Sequence, residues 1–298
     1  MSQTWKGVFV AVVTPFDKNG GVAFPEFEKH LEYLADAGVH GFVPCGTTGE
    51  SPTVTAEERK KILEMAREVS NRRQRKLIAG CGGNSTPRVV ALVVEAAALG
   101  CDAVLVSTPY YNKPSQAGLI AHYEAIADAS RLPIFLYNVP SRTGVNLNPD
   151  TVEILCRNPK IVGIKEAGGQ HRQWLDLSTR LDLERTSFMS GDDDAFATIL
   201  ALGGSGIISA SANVAPERFV DIYNAYTRGD WAQVFEGQKR LLPLVEIMFM
   251  ETNPAPAKYA LELMGRMERN VRLPLMPVTE LAQTRIAQVL KQLEVGRA

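Results

Sequence analysis

Lys165 closes the run Ile161 to Ala167 (IVGIKEA), which otherwise reads as a buried strand. Side chains alternate along a strand, so Ile161, Gly163 and Lys165 share one face while Val162, Ile164 and Glu166 share the other. A residue without a side chain therefore sits below the lysine. Two readings fit such a lysine. It can lay its stem along apolar surface and keep its ammonium in water. Or it can be desolvated: burial disfavours the charged form, and a neutral amine attacks a ketone to form a Schiff base. An ordinary lysine amine, with a pKa of about 10.4, is neutral to about one part in a thousand near pH 7.4. Bringing a catalytic amine to about 7 to 8 raises the nucleophilic fraction several-hundred-fold.

Other polar groups stand after neighbouring apolar runs. Gly46-Thr47-Thr48-Gly49-Glu50 combines glycines, two hydroxyls and exposed amides, a set that either makes a plain turn or holds a carboxylate. Thr108-Pro109-Tyr110-Tyr111-Asn112 supplies paired phenols, which serve in packing or in proton transfer. Tyr137-Asn138-Val139-Pro140-Ser141-Arg142-Thr143-Gly144 sets a phenol near a guanidinium suited to bidentate carboxylate binding. Gathered on one rim with Lys165, these groups amount to a nucleophile, a proton relay and anion clamps. Asp192, Asp193 and Asp194 suit a hard cation, but aspartates at a strand-to-helix junction more commonly cap helices, so no metal is assigned to them. His30, His40, His122 and His171 lack any short metal-ligand spacing.

The elements that must position these groups recur regularly. Apolar, β-branched runs begin at Gly7, Val39, Lys76, Ala103, Ile134, Ile161, Ser187 and Gly206, roughly every 28 residues. That is close to the about 31 residues per unit of a typical eight-unit βα barrel. Helical faces fill the gaps: Phe24, Phe27, Leu31 and Leu34 in one, Ile62, Met65, Ala66 and Val69 in another. Thr55 with Glu58 forms a capping box, while Thr86 before Pro87 and Asn148 before Pro149 set capping side chains ahead of first-turn prolines. Gly203-Gly204-Ser205-Gly206 precedes the eighth strand and reads as a helix end and tight turn. The expectation is an α/β protein, a (β/α)8 TIM barrel over 1–228 with a C-terminal helical appendage over 229–298 packed upon it. The first strand is followed by Val-Thr-Pro-Phe rather than the glycine fingerprint of a dinucleotide fold.

Thirty-two basic and thirty-three acidic residues leave a net charge of -1, which gives no electrostatic case for nucleic acid or an anionic membrane. No apolar run reaches the length of a membrane span, and the start of the chain has no leader pattern, so a soluble, cytoplasmic protein is expected. Cys45, Cys81, Cys101 and Cys156 are dispersed and read as reduced structural thiols.

The motifs at 46–50, 108–112, 137–144 and 163–167, together with Ser190-Gly191-Asp192-Asp193 and Asn253-Pro254-Ala255-Pro256, resemble the dihydrodipicolinate synthase (4-hydroxy-tetrahydrodipicolinate synthase) family. That family lies within the pyruvate-dependent class I aldolases, and the resemblance spans nearly the whole chain. The lysine motif alone marks only the superfamily, whereas Arg142 in its Ser-Arg-Thr-Gly setting is more discriminating. The resemblance implies that Lys165 forms a Schiff base with pyruvate and that the derived enamine attacks L-aspartate 4-semialdehyde, a step of lysine and diaminopimelate biosynthesis. It implies Tyr137 as proton carrier, Thr47 linking Tyr137 to Tyr111 in a relay, and Thr48 binding pyruvate. Arg142 would hold the semialdehyde carboxylate, and the backbone at Gly191 and Ile208 would line the pyruvate pocket. No organic cofactor is implied, and the assembly would be a homotetramer of two tight dimers in which Tyr111 serves the neighbouring subunit.

Another pyruvate aldolase, acting on 2-keto-3-deoxy sugar acids or 4-hydroxy-2-oxoglutarate, and a silent oxoacid-binding barrel are the competing readings. Many members of the family also bind L-lysine at an allosteric site in the dimer interface. Ser51, Asn84 and Tyr110 match its polar positions, but Ala56 stands where the sensitive form carries histidine and Arg88 where it carries glutamate. The resemblance with these departures implies little or no inhibition by lysine.

Overall fold

In the computed structural model, which describes residues 5–296, the eight apolar runs are strands of a closed barrel in the order β1 to β8. They are β1 (Gly7–Ala11), β2 (Gly41–Val43), β3 (Lys76–Gly80), β4 (Ala103–Ser107), β5 (Ile134–Asn138), β6 (Ile161–Glu166), β7 (Ser187–Ser190) and β8 (Gly206–Ser209). The pairings are parallel, so each strand returns through a helix on the outside, and the strands are buried almost throughout. The helices are α1 (Phe24–Asp36), α2 (Ala56–Arg73), α3 (Thr86–Ala98), α4 (Gln116–Ala129), the single-turn α5 (Pro140–Thr143), α6 (Pro149–Cys156), α7 (His171–Arg180), α8 (Phe196–Ala201), α9 (Pro216–Thr227), α10 (Trp231–Met248), α11 (Ala255–Leu263) and α12 (Glu280–Gln292). None is long and apolar enough to cross a membrane among the described residues. The four cysteines are free thiols.

The chain divides into two compact units. Met1–Gly7 with Leu77–Ile208 make the first, which holds most of β3 to β8 with α3 to α8. Trp5 closes its base. The Trp5 amide donates to Ser187 Oγ at 2.9 Å, and the indole meets Phe135 edge-on at 5.6 Å. Gly163 has no room for a side chain, since a Cβ would lie 2.5 Å from the Ser187 carbonyl oxygen and 2.7 Å from the Phe135 ring. The turn before β8 behaves as its glycines require: Gly203 has φ +87°, and the Gly204 amide donates back to Ile199 O at 2.8 Å.

Val8–Lys76 with Ser209–Ala298 make the second unit. Its C-terminal helices bury Leu244, Met248, Leu261, Ala282, Ile286 and Leu290 in one apolar cluster with Val13 and Val214. The capping box at Thr55 and Glu58 is complete, with both reciprocal bonds formed. Two other caps depart from expectation. Ser85, not Thr86, holds the N-cap position of α3, with no side-chain capping bond, and the Thr86 hydroxyl pairs with His122 Nδ1 at 2.9 Å. Asn148 does occupy the cap of α6, but its side-chain oxygen accepts from Asn146 Nδ2 instead of from the helix amides.

Candidate active site

Lys165 is the penultimate residue of β6, at the end of the strand as its apolar run predicts, and is 5% exposed. Parallel register sets it beside Tyr137 of β5 and Met189 of β7, and the next row pairs Asn138 with Glu166 and Glu166 with Ser190. The lysine and phenol thus share a row, with Lys165 Nζ 4.5 Å from the centre of the Tyr137 ring. Gly191 fixes the stem from the side. A Cβ there would stand 3.0 Å from Lys165 Cγ and 2.7 Å from Ala167 Cβ, so only glycine lets the lysine lie flat. The Gly191 amide donates to Glu166 O at 2.7 Å, and Ile208 is fully buried in β8.

Behind this row lies a polar network that the sequence alone did not reveal. Glu166 accepts from Asn138 Nδ2 at 3.0 and 3.1 Å, from Gln173 Nε2 at 3.1 Å and from the Gly168 amide at 2.7 Å. Asn138 Oδ1 in turn accepts from the Leu147 amide at 2.9 Å. Burial raises the Glu166 carboxyl to about 7, against the pull of its donors from Asn138 and Gln173. The network ties the ends of β5 and β6 together one residue beyond Tyr137 and Lys165.

Of the aspartates after β7, Asp192 stands at the cap position without acting as a cap. Asp192 precedes the 3-10 turn Asp193–Ala195, but its side chain accepts no capping bond. Burial, and next the charge of Asp194, raise the Asp192 carboxyl to about 6, with Lys165 pulling the other way. Arg142 lies in the last turn of α5, exposed and paired with no carboxylate among the described residues. The loop after β4 carries Tyr110 and, at φ +73° and 88% exposed, Tyr111. Its Lys113 stem lies over Gly144, where a Cβ would come within 2.9 Å of Lys113 Cε. Asn112 Nδ2 donates to Asn84 O at 2.9 Å, which joins this loop to the segment before α3, where Arg88 is exposed.

The second unit carries Thr47 and Thr48 on the turn after β2, with Thr47 half-buried and Thr48 buried. The turn begins and ends on left-handed residues, Cys45 (φ 58°) and Glu50 (φ 53°). Such geometry costs of order 1 to 3 kcal/mol per residue and persists only where the surroundings impose it. Here they do. Thr14 Oγ1 donates to Gly49 O at 2.8 Å, and Glu50 accepts from Lys258 Nζ at 2.5 Å and from the Arg272 amide at 3.1 Å. Glu50 and Lys258 form a completely buried ion pair, with Lys258 Nζ also donating to Asn270 O at 2.7 Å. Burial lowers Lys258 to about 8, and the charge of Glu50 opposes that shift. Asn253 Nδ2 donates to Thr48 Oγ1 at 3.0 Å. Ser51 opens a 3-10 turn and Ala56 is the first residue of α2, both exposed. Lys258 is a further residue that sequence patterns did not single out; its partner lies 208 positions away.

Known proteins resemble this chain over nearly its whole length. The sequence profile of the dihydrodipicolinate synthetase family matches residues 4–293. The 4-hydroxy-tetrahydrodipicolinate synthase of Thermodesulfovibrio yellowstonii is 45% identical over 287 residues, covering 96% of this chain and 98% of that protein. Among solved structures, the chloride-inhibited dihydrodipicolinate synthase of Acinetobacter baumannii complexed with pyruvate superposes with a TM-score of 0.95 at 40% identity, over 98% of this chain and 100% of that one. The enzyme of Cyanidioschyzon merolae with lysine bound gives 0.94 at 34% identity, over 98% and 99% of the two chains. With matches of this length and identity, the chain belongs to the dihydrodipicolinate synthetase family.

Proposed function

We propose that this chain is a 4-hydroxy-tetrahydrodipicolinate synthase that condenses pyruvate with L-aspartate 4-semialdehyde. The observation that carries the reading is Lys165, a buried amine at a strand end with a phenol ring 4.5 Å away, in a chain 45% identical over nearly its full length to a protein of that activity. The neutral amine adds to the pyruvate ketone, and loss of one water gives the imine. The imine draws electrons from the methyl group, which loses a proton to leave an enamine. That enamine forms a carbon–carbon bond to the aldehyde. The amino group of the semialdehyde then displaces Lys165 from the imine carbon, closing the ring and freeing the lysine.

Tyr137 carries protons in imine formation and cyclisation, and Thr47 passes them on toward Tyr111. Thr48 donates to the pyruvate carboxylate, and the Gly191 and Ile208 backbone lines the pocket. The test is a coupled assay with pyruvate and the semialdehyde. Turnover supports the reading, whereas cleavage of 2-keto-3-deoxy sugar acids or 4-hydroxy-2-oxoglutarate without it makes the chain a different pyruvate aldolase.

Arg142 binds the semialdehyde carboxylate, a role supported by its exposed guanidinium in α5, just after β5, which pairs with no carboxylate among the described residues. Losing one charge-assisted contact of about 1.5 to 3 kcal/mol, Arg142→Ala should raise the KM for the semialdehyde roughly 10- to 100-fold. The KM for pyruvate should move by no more than about twofold, since that carboxylate is held elsewhere. Equal changes in both would refute the assignment.

The assembly is a cytoplasmic homotetramer of two dimers, with 229–298 as an appendage to the barrel. Tyr111, 88% exposed in one chain, completes the relay of a neighbouring subunit. Activity should then fall in step with dissociation of the dimer on dilution, followed by sedimentation. A fully active monomer would contradict the shared relay.

A further inference from the structure

We infer that Asn253 is a positioning residue that sets the polarity of the Thr48 hydroxyl, making it a donor to the substrate carboxylate. The inference rests on the reading of Thr48 as a pyruvate contact and adds what enforces it. A threonine hydroxyl has one hydrogen and two lone pairs, so it can face a ligand as donor or as acceptor. A carboxylate accepts only. Asn253 Nδ2 donates to Thr48 Oγ1 at 3.0 Å, and both residues are buried, so one lone pair is committed to an amide that takes no proton in return. Among the described residues the hydroxyl hydrogen is given to no protein group. It is left for the ligand.

The same short stretch holds the turn at a second point. Asn253 stands just before α11, and Lys258 lies within its first two turns, its amide donating to Pro254 O at 3.0 Å. The two side chains reach Thr48 and Glu50, which are two residues apart on the turn. Glu50 is the left-handed residue that ends the turn, and with its carboxylate fixed by Lys258 and the Arg272 amide the backbone at Thr48 has little freedom to rotate away. The C-terminal segment thereby fixes both where the Thr48 hydroxyl sits and which way its proton points.

Asn253→Asp separates this role from packing. The replacement is nearly isosteric, so a packing role makes it milder than Asn253→Ala. A carboxylate, however, cannot donate; it accepts the hydrogen bond of the Thr48 hydroxyl and sets a negative charge beside the bound anion. The KM for pyruvate should rise roughly tenfold or more in Asn253→Asp and less in Asn253→Ala, with the KM for the semialdehyde unchanged in both. If Asn253→Asp is no worse than Asn253→Ala, the inference is wrong. A double-mutant cycle covers a poorly folding aspartate variant: Asn253→Ala should add nothing to the pyruvate KM of Thr48→Val, and full additivity overturns the inference. Borohydride trapping of pyruvate on the unsubstituted protein keeps the two levels apart. Absence of a Lys165 adduct there removes the Schiff-base reading and this inference with it, whereas normal trapping with unmoved variant KM values removes the inference alone.

Discussion

Lys165→Arg should lose activity by roughly a thousandfold or more while keeping the fold, because a guanidinium stays protonated and offers no amine to the ketone. The neighbours of Lys165 explain why the fold should survive. The stem runs past the bare Gly191, and the cationic end lies over the Tyr137 ring, a face that also attracts arginine. A thermal melt within a few degrees of the parent would show that the loss is chemical. The positive experiment is reduction of the parent protein with borohydride in the presence of pyruvate, followed by peptide mapping. The adduct should lie on the peptide carrying Lys165. An adduct on another lysine, or none at all, removes the proposed nucleophile, and so would a Lys165→Arg protein that still turns over at a substantial fraction of the parent rate.

How far such a site can be read from sequence depends on the range of the interactions that build it. The eight strands were legible because each is a short apolar run set off by turn residues, and Gly163 two places before Lys165 was legible because strand alternation is local. Strand ends were not. The first apolar run continues to Val13, yet β1 stops at Ala11: the Val13 amide turns to Asn213 Oδ1, 200 positions away, while Asn213 Nδ2 caps the Ala11 carbonyl at 2.7 Å. Asp192 suits a cap by position, but it makes no capping bond and lies half-buried near the charge of Lys165. The contacts that support the site are hidden from sequence for the same reason. Glu166 depends on Gln173 and Asn138 from different elements, and Thr48 and Glu50 depend on Asn253 and Lys258 from the far end of the chain. The residues proposed to act on ligands fall into short motifs, and so do Glu50, Asn138, Glu166 and Asn253 among their supports. Which of them touch is set by the fold, and Gln173 and Lys258 belong to no motif.

L-Lysine should inhibit this protein weakly or not at all at physiological levels. The solved relative from Cyanidioschyzon merolae has lysine bound, and what this chain would offer lysine depends on its own residues. Of the five positions, Ser51, Asn84 and Tyr110 keep polar side chains, and Tyr110 remains 40% exposed beside the Asn112–Asn84 bond. Ala56 brings only a methyl group. Arg88 is the decisive one. It is the third residue of α3, exposed, and pairs with no carboxylate among the described residues. At a helix N-terminus the backbone already presents partial positive charge, so Arg88 and the helix together oppose an incoming ammonium. A glutamate at that position would pair with the ammonium. Exchanging that contact for like-charge repulsion costs about 2 to 4 kcal/mol, or roughly thirtyfold to a thousandfold in affinity. Titrating lysine into the coupled assay at fixed pyruvate should leave the rate nearly flat through the submillimolar range. Arg88→Glu, which restores the missing anion, should bring inhibition back toward lower lysine concentrations, and more so when combined with Ala56→His. Strong submillimolar inhibition of the unsubstituted protein would mean that Arg88 turns away from the ammonium and that the site is intact without the glutamate.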